Sequence, residues 1–422
     1  MLRRVAYNFA ARLTTALLSF VVVWLTARYL GAAGRGAVSL FVTDCAALLL
    51  FIGLLGGSSL IYLAPRRNLW HLLLPAYGWA LVVCATGTAI VGLLRQPAFS
   101  YLLHLGVLSL LQAFFSINCA LLLGRRREGS YNLLTAAQVA LLAGCLLLAF
   151  GLDARWQEVS TYYYASYVAF GLPLLLSFGP LLRLPDQLRL NLRLRATTRE
   201  LARHSRGAHF SNILTFANYR LSYYFVAYYA DARAVGILSV GVALMEAIWL
   251  IPRSTALVQY VDMVHTAGTG PLPTAALRVA RLTVAGTLAA VLVLIGLPAE
   301  LLSRVFGAEF GAARPVMLLL APGVVVMAVQ LLVSSYFAAQ ARYRINNAAA
   351  TLGLTVTLIC CALLISKLGI RGAALASTCS YVASTVFLLW HFWRATGSGL
   401  GAFLPGWADV AYGWRLLQQR WR

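Results

Sequence analysis

The sequence predicts an all-α polytopic membrane protein, with about twelve transmembrane helices in two pseudo-symmetric six-helix bundles. Three observations predict it. The 422 residues are 61% hydrophobic and only 11% charged, with a mean hydropathy of +0.79. That is more apolar surface than a water-soluble fold can cover. About a dozen apolar runs of roughly 20 residues divide the chain, each long enough as a helix to cross a hydrocarbon layer of about 30 Å. Short patterns in the first half also recur, in the same order, in the second half.

Taken in order, the expected spans are 5–29, 37–63, 70–94, 100–123, 131–151, 160–182, 209–230, 234–258, 277–299, 315–338, 346–366 and 371–393. The first follows Met-Leu-Arg-Arg and runs about 25 residues with Arg12 inside it, which is too long for the apolar core of a cleaved leader. The organisation that results is an N-terminal bundle (1–183), a basic cytoplasmic linker (184–208), a C-terminal bundle (209–394) and an amphipathic cytoplasmic tail (395–422). Within the linker, Leu-Arg-Leu-Asn-Leu-Arg-Leu-Arg at 188–195 reads equally as a basic amphipathic segment on the inner leaflet or as a solvated connection. The tail, with Trp407, Trp414 and Trp421, reads as a foot on the inner leaflet or a dock for a partner enzyme.

Orientation follows from the basic residues. Of 34 Arg and Lys, 23 fall in the gaps or at the span ends on the side of the N-terminus and nine on the other, while Arg12 and Arg220 lie well inside spans. The excess places both termini in the cytoplasm, which fits a bacterial inner membrane. The same distribution explains the formal charge of +22. Basic residues in short gaps meet anionic headgroups, and no nucleic-acid-binding module accompanies them, so nucleic acid is not an expected partner.

Enzyme chemistry finds little support. The seven cysteines, Cys45, Cys84, Cys119, Cys145, Cys360, Cys361 and Cys379, lie inside predicted spans without metal-ligand spacing. Six histidines are scattered, and no nucleophile elbow, zinc helix or phosphate loop occurs. No cofactor and no metal is expected.

The repeat is read from several matches. Tyr29, Gly36 and Ser39 stand 200 positions before Tyr229, Gly236 and Ser239. Ser166-Tyr167-Val168-Ala169 recurs as Ser380-Tyr381-Val382-Ala383, and Arg127 and Asn132 align with Arg342 and Asn347. Six helices per half means repeats running in the same sense, with a site expected between them.

Four charged groups lie well inside spans: Arg12, Asp44, Arg220 and Glu246. The seventh span, Phe210 to Ala230, carries five tyrosines and, near its middle, Arg220. A guanidinium at the bilayer centre costs about 2.5–3.5 kcal/mol on insertion scales, so this helix should turn it towards protein or a wet path. Phe216, Tyr219, Arg220, Tyr223 and Ala227 share one face. A cation beside phenol rings suits a sugar-bearing phosphate, and with Arg12 and Asn218 these residues form the candidate substrate-binding set: Arg12, Asn218, Tyr219, Arg220 and Tyr223. Asp44 and Glu246 are candidates for a coupling ion or a charge network. The bland readings stand beside these. Arg220 and Glu246 would form an internal pair that offsets desolvation, Arg12 would snorkel to headgroups, and Asp44 would join Arg28 or Arg35.

At these residues the chain resembles the bacterial polysaccharide flippases, the O-antigen or Wzx-type branch of the multidrug/oligosaccharidyl-lipid/polysaccharide exporter superfamily. The resemblance rests on Ala27-Arg28-Tyr29-Leu30-Gly31-Ala32-Ala33-Gly34-Arg35-Gly36, on Asn218-Tyr219-Arg220-Leu221, and on the run Glu246 to Ser254 through Trp249, Pro252 and Arg253. It continues in Val305-Phe306-Gly307-Ala308-Glu309-Phe310, then Ala321-Pro322-Gly323, and in Leu368-Gly369-Ile370-Arg371-Gly372. Two departures stand out. Ser222 occupies a position where relatives carry an acid, and Tyr260 lies where many have Pro.

The resemblance implies a MATE- or MurJ-like V of two bundles around a cationic cavity. The implied cargo is an oligosaccharide on polyprenyl pyrophosphate, moved from the cytoplasmic to the outer leaflet, with membrane lipid and polysaccharide-assembly proteins as partners. A multidrug cation antiporter of the same superfamily is the near alternative. From another class, a polysaccharide polymerase or ligase would need a larger outer loop than the longest here, about 15 residues.

Overall fold

In hydrocarbon every backbone N–H and C=O must find a partner within the protein, so the apolar runs of this chain become helices. The computed structural model describes residues 2–186, 194–266, 274–397, 399–404 and 406, and among the described residues there is no strand. The helices are α1 (Leu2–Gly56), α2 (Ser58–Leu63), α3 (Leu69–Arg95), α4 (Phe99–Gly124), α5 (Glu128–Leu152), α6 (Val159–Leu182), α7 (Leu194–Tyr229) and α8 (Ala232–Ala247). They continue as α9 (Leu250–Thr266), α10 (Thr274–Ile295), α11 (Ala299–Phe306), α12 (Ala313–Ala339), α13 (Tyr343–Cys360), α14 (Ser366–Leu368) and α15 (Ile370–Thr396). The chain is a multi-pass membrane protein. Among the described residues nine helices are long and apolar enough to cross a bilayer, or ten if α8 and the first part of α9 form one bent span.

The difference from twelve has two physical causes. The first two expected spans are not separated by a loop: Leu13–Leu63 is one 51-residue stretch, more than twice the length a crossing requires. It is interrupted at Gly31, whose φ of 65° and ψ of −175° suit glycine alone. The expected seventh span, in turn, is too polar for a test of length and apolarity. It is nonetheless a continuous helix, because α7 runs 36 residues, about 54 Å at 1.5 Å per residue.

The expected eighth span bends by 43° between α8 and α9. Pro252 has no N–H for the Ile248 carbonyl, and the Ile251 N–H takes it instead at 3.1 Å. Glu246 and Trp249 sit at this break, where the Trp249 N–H bonds the Glu246 carbonyl at 3.0 Å. Toward the far end of the chain, α13 passes through a π-helical turn, Cys361–Ile365, before α14.

The chain divides into two compact units, Met1–Phe216 and Ala217–Arg422. In the first, α4 packs against α3, α6 and α1, and α5 against α1 and α6. In the second, α12 packs against α15, α9, α8 and α10, and α13 lies along α15. The residues expected as a basic linker are helical from Leu194 onward and belong to α7; 187–193 lie outside the described residues. This first part of α7 is held to the first unit by Arg67–Glu200 at 3.0 Å and by Tyr62 against His204 at 4.8 Å between ring centroids. Of the expected tail, the turn Leu400–Phe403 folds back so that Phe403 meets Phe392 and Arg281 Nε donates to the Ala402 carbonyl at 2.8 Å. Trp407, Trp414 and Trp421 lie outside the described residues.

The repeat is visible in backbone detail. After α4, Arg125, Arg126 and Arg127 donate to Leu121, Leu123 and Leu122; after α12, Gln340, Ala341 and Arg342 donate to Tyr336, Ala338 and Phe337. Each pair stands 215 positions apart, the spacing that aligns Arg127 with Arg342. Arg126 has φ 58° and Ala341 φ 56°, so both units turn the same corner through a left-handed residue.

Candidate functional site

The seventh-span face resolves into a cluster within the second unit. Arg220, on α7, directs Nη2 to Glu246 Oε2 of α8 at 3.4 Å and Nη1 to the Tyr223 hydroxyl at 3.3 Å. The Arg220 side chain is 34% exposed and that of Glu246 24%. Beneath them lies a triangle of rings: Tyr219 to Trp249 at 5.3 Å, Tyr219 to Tyr381 of α15 at 6.1 Å, and Trp249 to Tyr381 at 5.8 Å, the last two edge to face. The Arg253 guanidinium stands 5.3 Å from the Trp249 ring. Tyr223, Trp249 and Tyr381 are buried. The charged ends are therefore reachable, while the aromatic floor is packed.

Helix geometry explains the grouping. Tyr219, Arg220 and Tyr223 lie on one face of α7. Trp249, at the break after Ala247, meets that face through Tyr219.

Asn218 faces elsewhere. It is buried, and its Oδ1 accepts from Thr357 at 2.7 Å and Ser380 at 2.9 Å, tying α7 to α13 and α15. The crossing is close because Gly353 has no side chain: a Cβ there would stand 2.8 Å from Asn218 Nδ2. These contacts give Asn218 a packing role between the helices. Arg12 lies on α1, and its side chain is outside the described residues.

Asp44 belongs to a separate cluster in the first unit. Its carboxylate, 2% exposed, is bonded by Arg95 at the end of α3 and by Tyr101 at the start of α4. These partners come from two other helices, and Arg35, one of the partners expected from sequence proximity, donates to Thr26 at 3.0 Å. Nearby, Phe41 packs between Tyr101 and Tyr163. His104 stacks on Tyr163 and meets the Tyr167 hydroxyl at 2.9 Å. A third polar group joins Tyr77, Asn118 and Ser177 across α3, α4 and α6.

Sequence reasoning passed over Tyr381 and Tyr167 as site residues, although the signal was present. They are the tyrosines of the repeated Ser-Tyr-Val-Ala, and each unit sets its copy in an aromatic cluster beside an ionisable side chain.

The chain is thus a polytopic helical membrane protein that folds as two units with a repeated turn, the second of them holding an arginine against a carboxylate and tyrosines. Among solved structures the chain is similar to the lipid II flippase MurJ in an inward closed conformation, with 11% identity, covering 92% of this chain and 87% of that one, TM-score 0.69. It is also similar to a multidrug resistance MATE family transporter of the MOP superfamily in its inward-facing conformation, with 14% identity over 90% and 94% of the two chains, TM-score 0.65. A third is the MATE multidrug transporter DinF-BH, with 15% identity over 93% and 95%, TM-score 0.62. At these identities the likeness is one of fold. No family model matches the chain, and neither does any curated protein.

Proposed function

We propose that this protein is a flippase that moves oligosaccharide units linked to polyprenyl pyrophosphate from the cytoplasmic to the outer leaflet of a bacterial inner membrane, by alternating access. The observation that carries this reading is the partly exposed guanidinium of Arg220, set beside a tyrosine hydroxyl on a continuous 36-residue helix. A guanidinium grips phosphate oxygens bidentately and lowers the cost of stripping water from a diphosphate, while tyrosines accept the apolar faces of sugars. An anion leaving an inside-negative cell gains about 2.3 kcal/mol per charge per 100 mV, so outward movement is downhill for the headgroup. The fold shared with a lipid II flippase supports the reading, because that protein too is named a flippase.

In this scheme both termini face the cytoplasm, where the arginine excess lies, and enzymes of polysaccharide assembly supply the cargo. Arg220→Ala should stop the outward appearance of the glycan while the protein still reaches the membrane. Unchanged surface polysaccharide in that strain would refute the role. Drug-resistance assays on the same strains separate this reading from a multidrug exporter.

A further inference from the structure

We propose that Glu246 is a built-in stand-in for the oxyanion that the Arg220 cluster binds, so that carboxylate and diphosphate take the guanidinium in turn, and that Trp249 gives its indole N–H to the incoming group. The proposal rests on the reading of this chain as a carrier of diphosphate-linked cargo and names how its site recognises that cargo.

The first support is the balance of donors and acceptors. Gathered at the cluster are two guanidiniums, Arg220 and Arg253, the hydroxyls of Tyr219, Tyr223 and Tyr381, and the Trp249 indole. Guanidinium and indole groups only donate. Among the described residues, Glu246 is the carboxylate paired with this set. A site so rich in donors fits a ligand made of acceptors, and a diphosphate offers several charged oxygens at once.

The second support is the Trp249 Nε1 itself. It is buried and has no hydrogen-bond partner among the described residues. Buried donors are rarely left so, and this one is embedded between Tyr219 and Tyr381. An acceptor arriving at the cluster would satisfy it.

The third is the looseness of the existing pair. Arg220 meets Glu246 through one nitrogen and one oxygen at 3.4 Å. In the same protein Arg125–Asp186 and Arg233–Glu309 close to 2.7 Å. A formed charge-assisted pair lies near 2.7–2.9 Å and is often bidentate, so Glu246 neutralises Arg220 without saturating it. Its side chain is already partly exposed and can swing outward without moving the backbone bond from Trp249 that holds its carbonyl. In the unloaded site the Arg220 charge is thereby offset while that of Arg253 is left over, and an anion of low charge gains little by displacing the carboxylate. A diphosphate gains more, because it can engage several donors together.

The test uses the purified full-length chain in detergent, with inorganic pyrophosphate as the probe and calorimetry as the readout. Glu246→Gln removes the competing charge and should bind pyrophosphate about tenfold more tightly than the parent, a change of about 1.4 kcal/mol. Arg220→Gln should abolish binding in either background. Trp249→Phe should weaken binding about fivefold with little change in melting temperature. A folded Glu246→Gln protein that binds no more tightly than the parent overturns the exchange, and unchanged affinity in Trp249→Phe overturns the indole's part. If Glu246→Gln does not fold, Glu246→Asp, which draws the charge back by one methylene, should show a smaller tightening, and its absence is equally decisive. Tighter pyrophosphate binding supports the exchange whatever vesicles do. Failure of reconstituted parent protein to move a lipid-linked glycan would count against the transport reading alone.

Discussion

Replacing Asn218 with alanine separates packing from recognition on a single helix. The Asn218 amide oxygen receives two buried hydroxyls, from Thr357 at 2.7 Å and Ser380 at 2.9 Å. Ser380 also donates to the Gly353 carbonyl at 2.9 Å and keeps that bond in the variant, whereas Thr357 loses its acceptor. Side-chain bonds between helices in membrane proteins average about 0.6 kcal/mol and reach about 1.7. Adding the small void left by the amide, the substitution should cost about 1–2 kcal/mol. For a unit of this size that lowers the melting temperature by roughly 3–6 °C. The assay is thermal unfolding in detergent, run with Thr357→Val and the double variant. Because both residues serve one bond, the double variant should cost less than the sum of the singles by about 0.5–1 kcal/mol. Pyrophosphate affinity should stay at the parental value in all three. Additive effects, or a loss of affinity without loss of stability, would refute the assignment of Asn218 to packing.

Two further outcomes are expected. Ala341→Gly should stabilise the second unit by about 0.5–1 kcal/mol, since Ala341 holds a left-handed φ of 56° at the corner after α12 that costs a Cβ-bearing residue energy; thermal melts of the variant and parent check this. Gly31→Ala should destabilise the first unit by about 1–3 kcal/mol, because φ 65° with ψ −175° is closed to alanine; a melting temperature equal to the parent's would show that the break in α1 is not set by this backbone.

Much of the fold could be read from the chain because the bilayer leaves few choices. An apolar run of some 20 residues must become a helix, and arginines and glycines mark where the runs end. The pairing of Arg220 with Glu246 was legible as one of two readings, since both are ionisable groups in neighbouring spans. The ring of Tyr381 beside them was not, because it arrives from α15, 161 positions beyond Arg220 in the numbering. The partners of Asn218 were not legible for a related reason: an asparagine in a span signals a polar contact without naming Thr357 and Ser380, which lie on other helices.

By itself, then, the sequence determined that this is a membrane protein of helices in two related halves, with a costly positive charge in the seventh span. Those properties depend on hydropathy, length and local backbone preference, all of which are written in neighbouring residues. The tertiary structure alone decided that α1 runs through two expected spans with one glycine break, that Trp249 at the bend of the eighth span packs against Tyr219 and Tyr381, and that Asp44 is held by Arg95 and Tyr101. Such contacts depend on how helices distant in the chain cross, and the crossing is set by packing between side chains that no local window contains.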